Sequence, residues 1–312
     1  MTASPRAVKA EAFEEHRKLL WALSYRMTGS AADADDVVQD TFARALVTDV
    51  ATDRPLRPWL VCVATNLARD RLRRRRLAPY VGPWLPEPVE PDEAELSLAS
   101  EAGTEGRYDL VESLSFAFLL ALEVLTPRER AVLVLCDVLE LSVAEAAEAV
   151  GTTPGNVKVI HHRARKKMAA YDERRPAASR SRRDASAAAL MALLTAISAG
   201  DVDATIAALS PDARALTDGG GEYSAARVPV LGAALVAKFF VNVTAKRGSA
   251  PAAEVRVVNG MPALVATYPD DRPGIAPRVF LSCDVDDAGR VTAIYSVLAS
   301  RKLAALRFPA LP

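Results

Sequence analysis

The sequence predicts a multidomain chain: two all-α domains, the second carrying a helix-turn-helix, followed by an α+β domain. Three observations carry this. Apolar residues recur at spacings of three and four through residues 8–77 and again through 110–171, the period of a helix with one buried face. Between these stretches the chain turns acidic and rich in proline and glycine. Beyond about residue 186 the helical spacing gives way to alternating apolar and polar residues, the period of a half-buried strand.

Taken in order, "FEEHRKLLWALSYRM" and "ADDVVQDTFARALV" are amphipathic helices separated by Gly29 and Ser30, with Asp33 predicted to cap the second. A third helix is predicted from about Pro58 through "RLRRRRL" at 71–77. Trp59, Leu60, Val63, Leu67 and Leu72 form its buried stripe, and Asn66, Arg69, Arg73 and Arg76 share the opposite side. Residues 78–109 hold five prolines and three glycines among acidic groups, so they read as a linker that cannot pack a core. Helices resume near Leu110. "TPRE" (126–129) and "SVAE" (142–145) each have the spacing of a capping box. Gly151 ends one helix, Thr153 caps the next, and Pro154 takes its first position, which makes a helix-turn-helix. A second linker, 172–185, leads to an α+β domain at 186–305. Two Ala/Leu-rich helices broken at Gly200 and Asp201 open it, and a longer helix covers "VPVLGAALVAKFFVNVTAKR". Four strands then form an antiparallel sheet, "AEVRVV", "ALVATY", "RVFLSCDV" and "RVTAIYSVLA", with "NGMP" and "DDAGR" as hairpin turns.

The net charge of zero is a sum of unlike parts. Residues 1–80 carry 14 basic and 10 acidic groups, 81–113 carry 1 and 9, and 114–185 carry 12 and 9, so two basic segments flank an acidic one. The basic groups gather in "RLRRRRL", in "HHRARKK" (161–167) and in "RSRRD" (180–184), which suggests two contact points on one polyanion. In the helix after Thr153, the early residues Asn156, Lys158 and Val159 would face base edges. The later basic ones, His161, His162, Arg163, Arg165 and Lys166, would meet phosphates. A solvated basic face is the competing reading.

No apolar run reaches the length of a membrane span, and the first residues lack the apolar middle of a signal peptide, so a cytoplasmic protein with no membrane contact is expected. Cys62, Cys136 and Cys283 are far apart and give no metal or redox spacing, and no metal or cofactor is expected. The three histidines, His16, His161 and His162, lie outside the last domain, which therefore cannot assemble a Ser/His or Cys/His pair. Asp218, Asp284, Tyr223, Tyr268 and Tyr295 are its acid–base stand-ins, and they read better as turn and strand residues. "GGG" after Asp218 fits no phosphate-binding fingerprint and points to a tight turn or close backbone approach.

"ADADDVVQDTFARA", "RPWLVCVATNLARDRLRRRR" and "LEVLTPRERAVLVLCDVLELSVAEAAEAVGTTPGNVKVIHHRARKKM" resemble domains 2 and 4 of the extracytoplasmic-function sigma factors, the subunits that let bacterial RNA polymerase find and open promoters. The resemblance implies partners, core RNA polymerase through its β and β′ subunits and promoter DNA, and a non-enzymatic role. It implies polymerase contacts from Asp36, Val37, Gln39, Asp40 and Phe42. It puts the −35 element on the helix-turn-helix and the −10 element on the third helix. There the Asn66 amide can read a base pulled from the stack while Arg69, Arg71, Arg73, Arg74, Arg75 and Arg76 hold phosphates. "WLPEP" (Trp84, Leu85, Pro86, Glu87, Pro88) and "DGGG" (Asp218, Gly219, Gly220, Gly221) are similar to signatures of a subgroup with a C-terminal SnoaL-like, cone-shaped α+β domain. This domain would regulate the sigma factor and is a candidate site for a small-molecule ligand. The subgroup's "DGGGK" is "DGGGE" here, with Glu222 last, and its "NPDKL" is at best "ASRKL" at 299–303. A duplex-binding regulator that works without polymerase, and a cyclase or isomerase fused to a DNA-binding unit, are the alternatives.

Overall fold

The computed structural model describes residues 5–48, 55–90, 107–174, 180–270 and 272–312; residues 91–106 of the first predicted linker and 175–179 of the second lie outside it. The described residues divide into two compact units. One holds the described parts of 5–79, 107–114 and 118–174, and the other 80–90, 115–117 and 180–312.

The first unit is helical: α1 (Pro5–Thr28), α2 (Ala31–Val47), α3 (Leu56–Leu77), α4 (Phe116–Ala121, whose first two residues belong to the second unit), α5 (Pro127–Leu133), α6 (Val143–Val150) and α7 (Pro154–Asp172). The cap of α2 is Ser30, whose hydroxyl accepts from the Asp33 amide at 3.1 Å, so Asp33 sits in the first turn, where its charge suits the helix dipole. Pro58 lies within the first turn of α3, two residues after its start. Both capping boxes are formed, Thr126 with Glu129 and Ser142 with Glu145, and Gly151 closes α6 in the left-handed region at φ 67°. Leu20, Leu23, Val37, Leu60 and Leu72 are buried among α1–α3. The two helical stretches predicted as separate domains share this one unit, in which α3 packs against α6.

The second unit takes in part of the predicted linker. Leu85, Pro86, Pro88 and Val89 are buried, which their apolar surface favours over exposure. After α8 (Arg180–Ser198) and α9 (Val202–Ala207) comes a six-stranded sheet in the order β2-β1-β6-β5-β4-β3. Its strands are β1 (Leu209–Asp218), β2 (Val230–Leu231), β3 (Ala252–Val258), β4 (Met261–Thr267), β5 (Arg278–Val285) and β6 (Val291–Val297), with α10 (Ala233–Arg247) between β2 and β3. β1 runs parallel to β6, so the sheet is mixed, not purely antiparallel as predicted. The long helix begins at Ala233, because Gly232, at φ 88°, breaks it from Val230 and Leu231, which pair with β1. β1 lies where no strand was predicted, between the second Ala/Leu-rich helix and the long one, and its ladder to β6 shifts register between Leu209 and Arg214, across Pro211 and Asp212. Asn259 and Gly260, at φ 51° and 72°, make the β3–β4 turn.

One sheet face, with Ala213, Ala215, Leu281, Cys283 and Ile294, packs on Leu190, Leu193 and Ile197 of α8 and Val236, Ala237 and Phe240 of α10. Ala263, Val265, Phe280 and Tyr295 alternate with those residues and lie on the other face, also buried. There the Phe116 ring sits 5.2 Å from Phe280 and 5.6 Å from Tyr295.

Candidate nucleic-acid interface and linker dock

Val157, Ile160, Ala164 and Met168 are the buried stripe of α7, so Asn156, Lys158, Val159, His162, Arg163 and Lys166 project outward together. An apolar residue, Val159, is 48% exposed in the middle of that surface. The Asn156 amide donates to the Thr152 hydroxyl at 2.7 Å. His161 and Arg165, expected on DNA, are instead drawn to Asp137, a buried carboxylate in the π-helical turn Val134–Val138. Nε2 of His161 is 2.9 Å from its Oδ1, and Arg165 donates to it with Nε at 3.0 Å and with a second nitrogen. Burial pushes the Asp137 carboxyl up, but His161 and Arg165 outweigh it and hold the group below its ordinary value. The pair orients α7 from behind its exposed surface.

On α3, Asn66 is exposed; its Nδ2 donates to the Cys62 carbonyl at 3.0 Å and its Oδ1 accepts from Arg69 at 3.2 Å. Arg73 pairs with Asp70 at 3.3 Å, and Arg74 faces solvent. Arg71, expected on a phosphate, turns the other way. It lies 2.9, 3.5 and 3.6 Å from the carboxylates of Asp40, Asp33 and Asp36. Four residues after Leu67, it flanks the buried stripe and so faces α2. Arg75 donates to both carboxylate oxygens of Glu123 at 2.7 Å, and Arg76 to the carbonyls of Leu125 and Glu123 at 2.7 and 3.1 Å.

On α2, Asp36, Gln39 and Asp40 are exposed on one side, as expected of a docking surface. Val37 is not: it is fully buried and packs rather than docks. Phe42 is half-buried, its ring 4.6 Å from Phe13.

In the second unit, "WLPEP" and "DGGG" meet at Asp218, which is fully buried. Its Oδ1 accepts from the Tyr80 hydroxyl at 2.6 Å and the Gly220 amide at 3.0 Å, and its Oδ2 from the Leu85 amide at 2.8 Å and Lys302 Nζ at 2.7 Å. Lys302 also donates to the Leu85 carbonyl and stands 4.4 and 4.8 Å from the ring centres of Trp84 and Tyr80. The glycines permit this approach: a Cβ on Gly219 would lie 2.5 Å from the Tyr223 carbonyl oxygen, and one on Gly220 2.7 Å from Ala299 Cβ. Glu222 accepts from the Ser300 amide at 3.0 Å and so closes "DGGGE" onto "ASRKL". Further along, Val89 and Asn259 exchange hydrogen bonds at 2.8 Å, and Glu90 pairs with Arg256 at 2.9 Å and Arg307 at 3.2 Å. Of the acid–base stand-ins, Asp284 is taken by the Tyr295 hydroxyl at 2.6 Å and Tyr268 lies under Arg247.

Residues 12–78 match the family Sigma-70 region 2, and 115–168 match Sigma-70, region 4. The ECF RNA polymerase sigma factor SigJ of Mycobacterium tuberculosis is 32% identical over 295 residues, which cover 91% of this chain and 90% of that protein. The chain belongs to the extracytoplasmic-function sigma factors. Members of this family are transcription-initiation factors and not enzymes. The probable sigma factor SigI of the same organism is 29% identical over 95% of both chains. The crystal structure of M. tuberculosis SigJ matches with a TM-score of 0.72 and 29% identity over 95% of this chain and 98% of that one, a span that includes the SnoaL-like unit at the C-terminus.

Two charges of this sigma factor, Glu123 and Asp137, were not singled out from the sequence, and Lys302 was noted only as part of "ASRKL". Each is buried or half-buried and has a partner far off in sequence, Arg75, Arg165 and Asp218 respectively. A charged residue inside an apolar run, as in "VLCDV", is the one local signal for such a group.

Proposed function

We propose that this sigma factor works in the cytoplasm, joins core polymerase through Asp36, Gln39 and Asp40 of α2, and recognises the −35 element with α7 and the −10 element with α3. The outward-facing row on α7 carries the reading. Four buried residues fix which side of the helix is exposed, and that side presents Asn156, Lys158 and Val159 ahead of His162, Arg163 and Lys166. Early residues suit base edges and later ones suit phosphates. At −10, Asn66 reads an unstacked base while Arg69 and Arg73 to Arg76 hold the backbone.

The C-terminal unit modulates this activity by holding the segment that connects the two DNA-binding regions. Trp84, Leu85, Pro86, Glu87 and Pro88 belong to that segment, and Asp218 with Gly219, Gly220 and Gly221 form its dock. Breaking a buried, hydrogen-bonded ion pair such as Asp218–Lys302 costs about 3–5 kcal/mol, enough to decide whether the segment stays bound. An open groove of about 580 Å³ beside Ile206, Leu209, Leu231, Leu235 and Arg290 is the place to seek a small-molecule ligand of this unit. Reconstitution with purified core polymerase tests the reading: a stable complex and a promoter-specific start are expected, and duplex binding with neither would reject it.

A further inference from the structure

We propose that the carboxylate of Glu123 stands in for a DNA phosphate on the arginines that end α3, so that the helical unit described here is a closed state which promoter DNA opens by displacing Glu123. The inference rests on the assignment of α3 to the −10 element.

Arg69, Arg75 and Arg76 are three of the arginines suited to phosphates, and all three spend donors within the unit. Arg75 takes both oxygens of Glu123 at 2.7 Å, Arg76 takes the carbonyls of Leu125 and Glu123, and Arg69 reaches the carbonyl of Val150 at 3.5 Å. The acceptors are one carboxylate and three main-chain oxygens, and a guanidinium fork accepts a phosphodiester in the same geometry. Among the described residues, no acidic side chain is paired with Lys158, Arg163 or Lys166 of the outward row of α7.

Arg130 makes the exchange cheap. It is fully buried, donates to Glu123 at 2.6 Å and to the Arg26 carbonyl at 2.9 Å, and belongs to α5 rather than α3. When α3 leaves, Glu123 keeps this counter-ion, so no carboxylate is stranded. Burial lowers Arg130 only to about 10, which leaves it charged at neutral pH. Arg75 and Arg76 give up one anion and gain another, so the charge exchange is close to balanced, and the phosphate contacts have the α3–α6 packing left to offset.

The test uses the full-length chain and a mixed-sequence fork-junction oligonucleotide, since phosphate contacts do not depend on sequence. At low salt, Glu123→Gln should bind the fork about 5- to 10-fold more tightly than the native chain, with a similar salt slope, since Arg75 and Arg76 reach the same phosphates in both complexes. Replacing Arg75 and Arg76 by alanine should cost more affinity in the Glu123→Gln background than in the native one. Equal affinity of Glu123→Gln and the native chain, or a gain that survives loss of both arginines, would overturn the proposal. If Glu123→Gln does not fold, hydrogen exchange on the native chain decides. Saturating fork DNA should deprotect residues 122–125 and 143–150, and unchanged protection while DNA is bound would overturn it. The outcomes stay separable from those of the functional reading: a holoenzyme that starts specific transcripts beside a failed Glu123 test removes only the latch.

Discussion

Asp40 lies 2.9 Å from Arg71 yet keeps half its side chain in water, so it can serve a partner without breaking the fold. Asp40→Arg should reduce capture of core polymerase at least tenfold with the thermal midpoint nearly unchanged, because a cation replaces an anion where a basic surface is to dock. Capture at the native level would reject the assignment of α2. On α7, base and phosphate contacts should fail differently. Lys158→Ala should lose about 1–3 kcal/mol at one base position of the −35 element and relax preference there. Lys166→Ala should weaken all sequences alike and reduce the salt slope by about one ion. Binding across a library of −35 variants at two salt concentrations checks both, and identical uniform losses would mean that α7 is only a basic face. Arg165→Ala belongs to neither class: it should lower thermal stability first, since it leaves Asp137 short of a partner.

Elements are held by local signals that were plain in the sequence and by distant ones that were not. Both capping boxes, the Gly151 stop and the strands β3 to β6 follow from short-range chemistry, so their residues announce them. Ser142→Ala should therefore cost about 1 kcal/mol, read as a lower midpoint of unfolding. β1 was hidden because its Pro211 and Asp212 are residues of turns, and only pairing with β6 makes the segment a strand. The resemblance also implied a phosphate contact for Arg71, although the side of α3 it occupies faces α2. Glu123 meets Arg75 across 48 positions of chain, a distance at which local pattern carries no information. These buried charges give the helical unit a pH dependence. Both Glu123 and Asp137 are held below their ordinary values of 4.5 and 3.8, despite burial, by the arginines and the histidine around them. A depressed carboxyl stabilises the fold fully above its unfolded value and loses that contribution as pH falls through its folded one. The unfolding midpoint of α5–α7 should thus hold steady from neutral pH to about 5 and drop below about 4.5; a midpoint that rises on acidification would contradict this.

At the scale of the whole molecule, the resemblance to a sigma factor with a SnoaL-like extension was legible from linked motifs, and the likeness to SigJ over nine-tenths of both chains agrees with it. What the motifs could not give was the chemistry that joins "WLPEP" to "DGGG": the cation on Asp218 is Lys302, not the residue after the glycines, where Glu222 stands. Lys302→Met should leave Asp218 buried without its counter-ion and raise hydrogen exchange over residues 80–90, while exchange unchanged there would show that the segment is held by other contacts. On the proposed function, this segment, docked on the C-terminal unit, sets how the holoenzyme uses its promoter. The most direct measurement is run-off transcription by core polymerase at matched holoenzyme concentration, comparing the full chain with one stopped after Asp184. Truncation should keep the same start site and change the yield; equal yields from that site, or no specific start with either chain, would rule out this role for the docked segment.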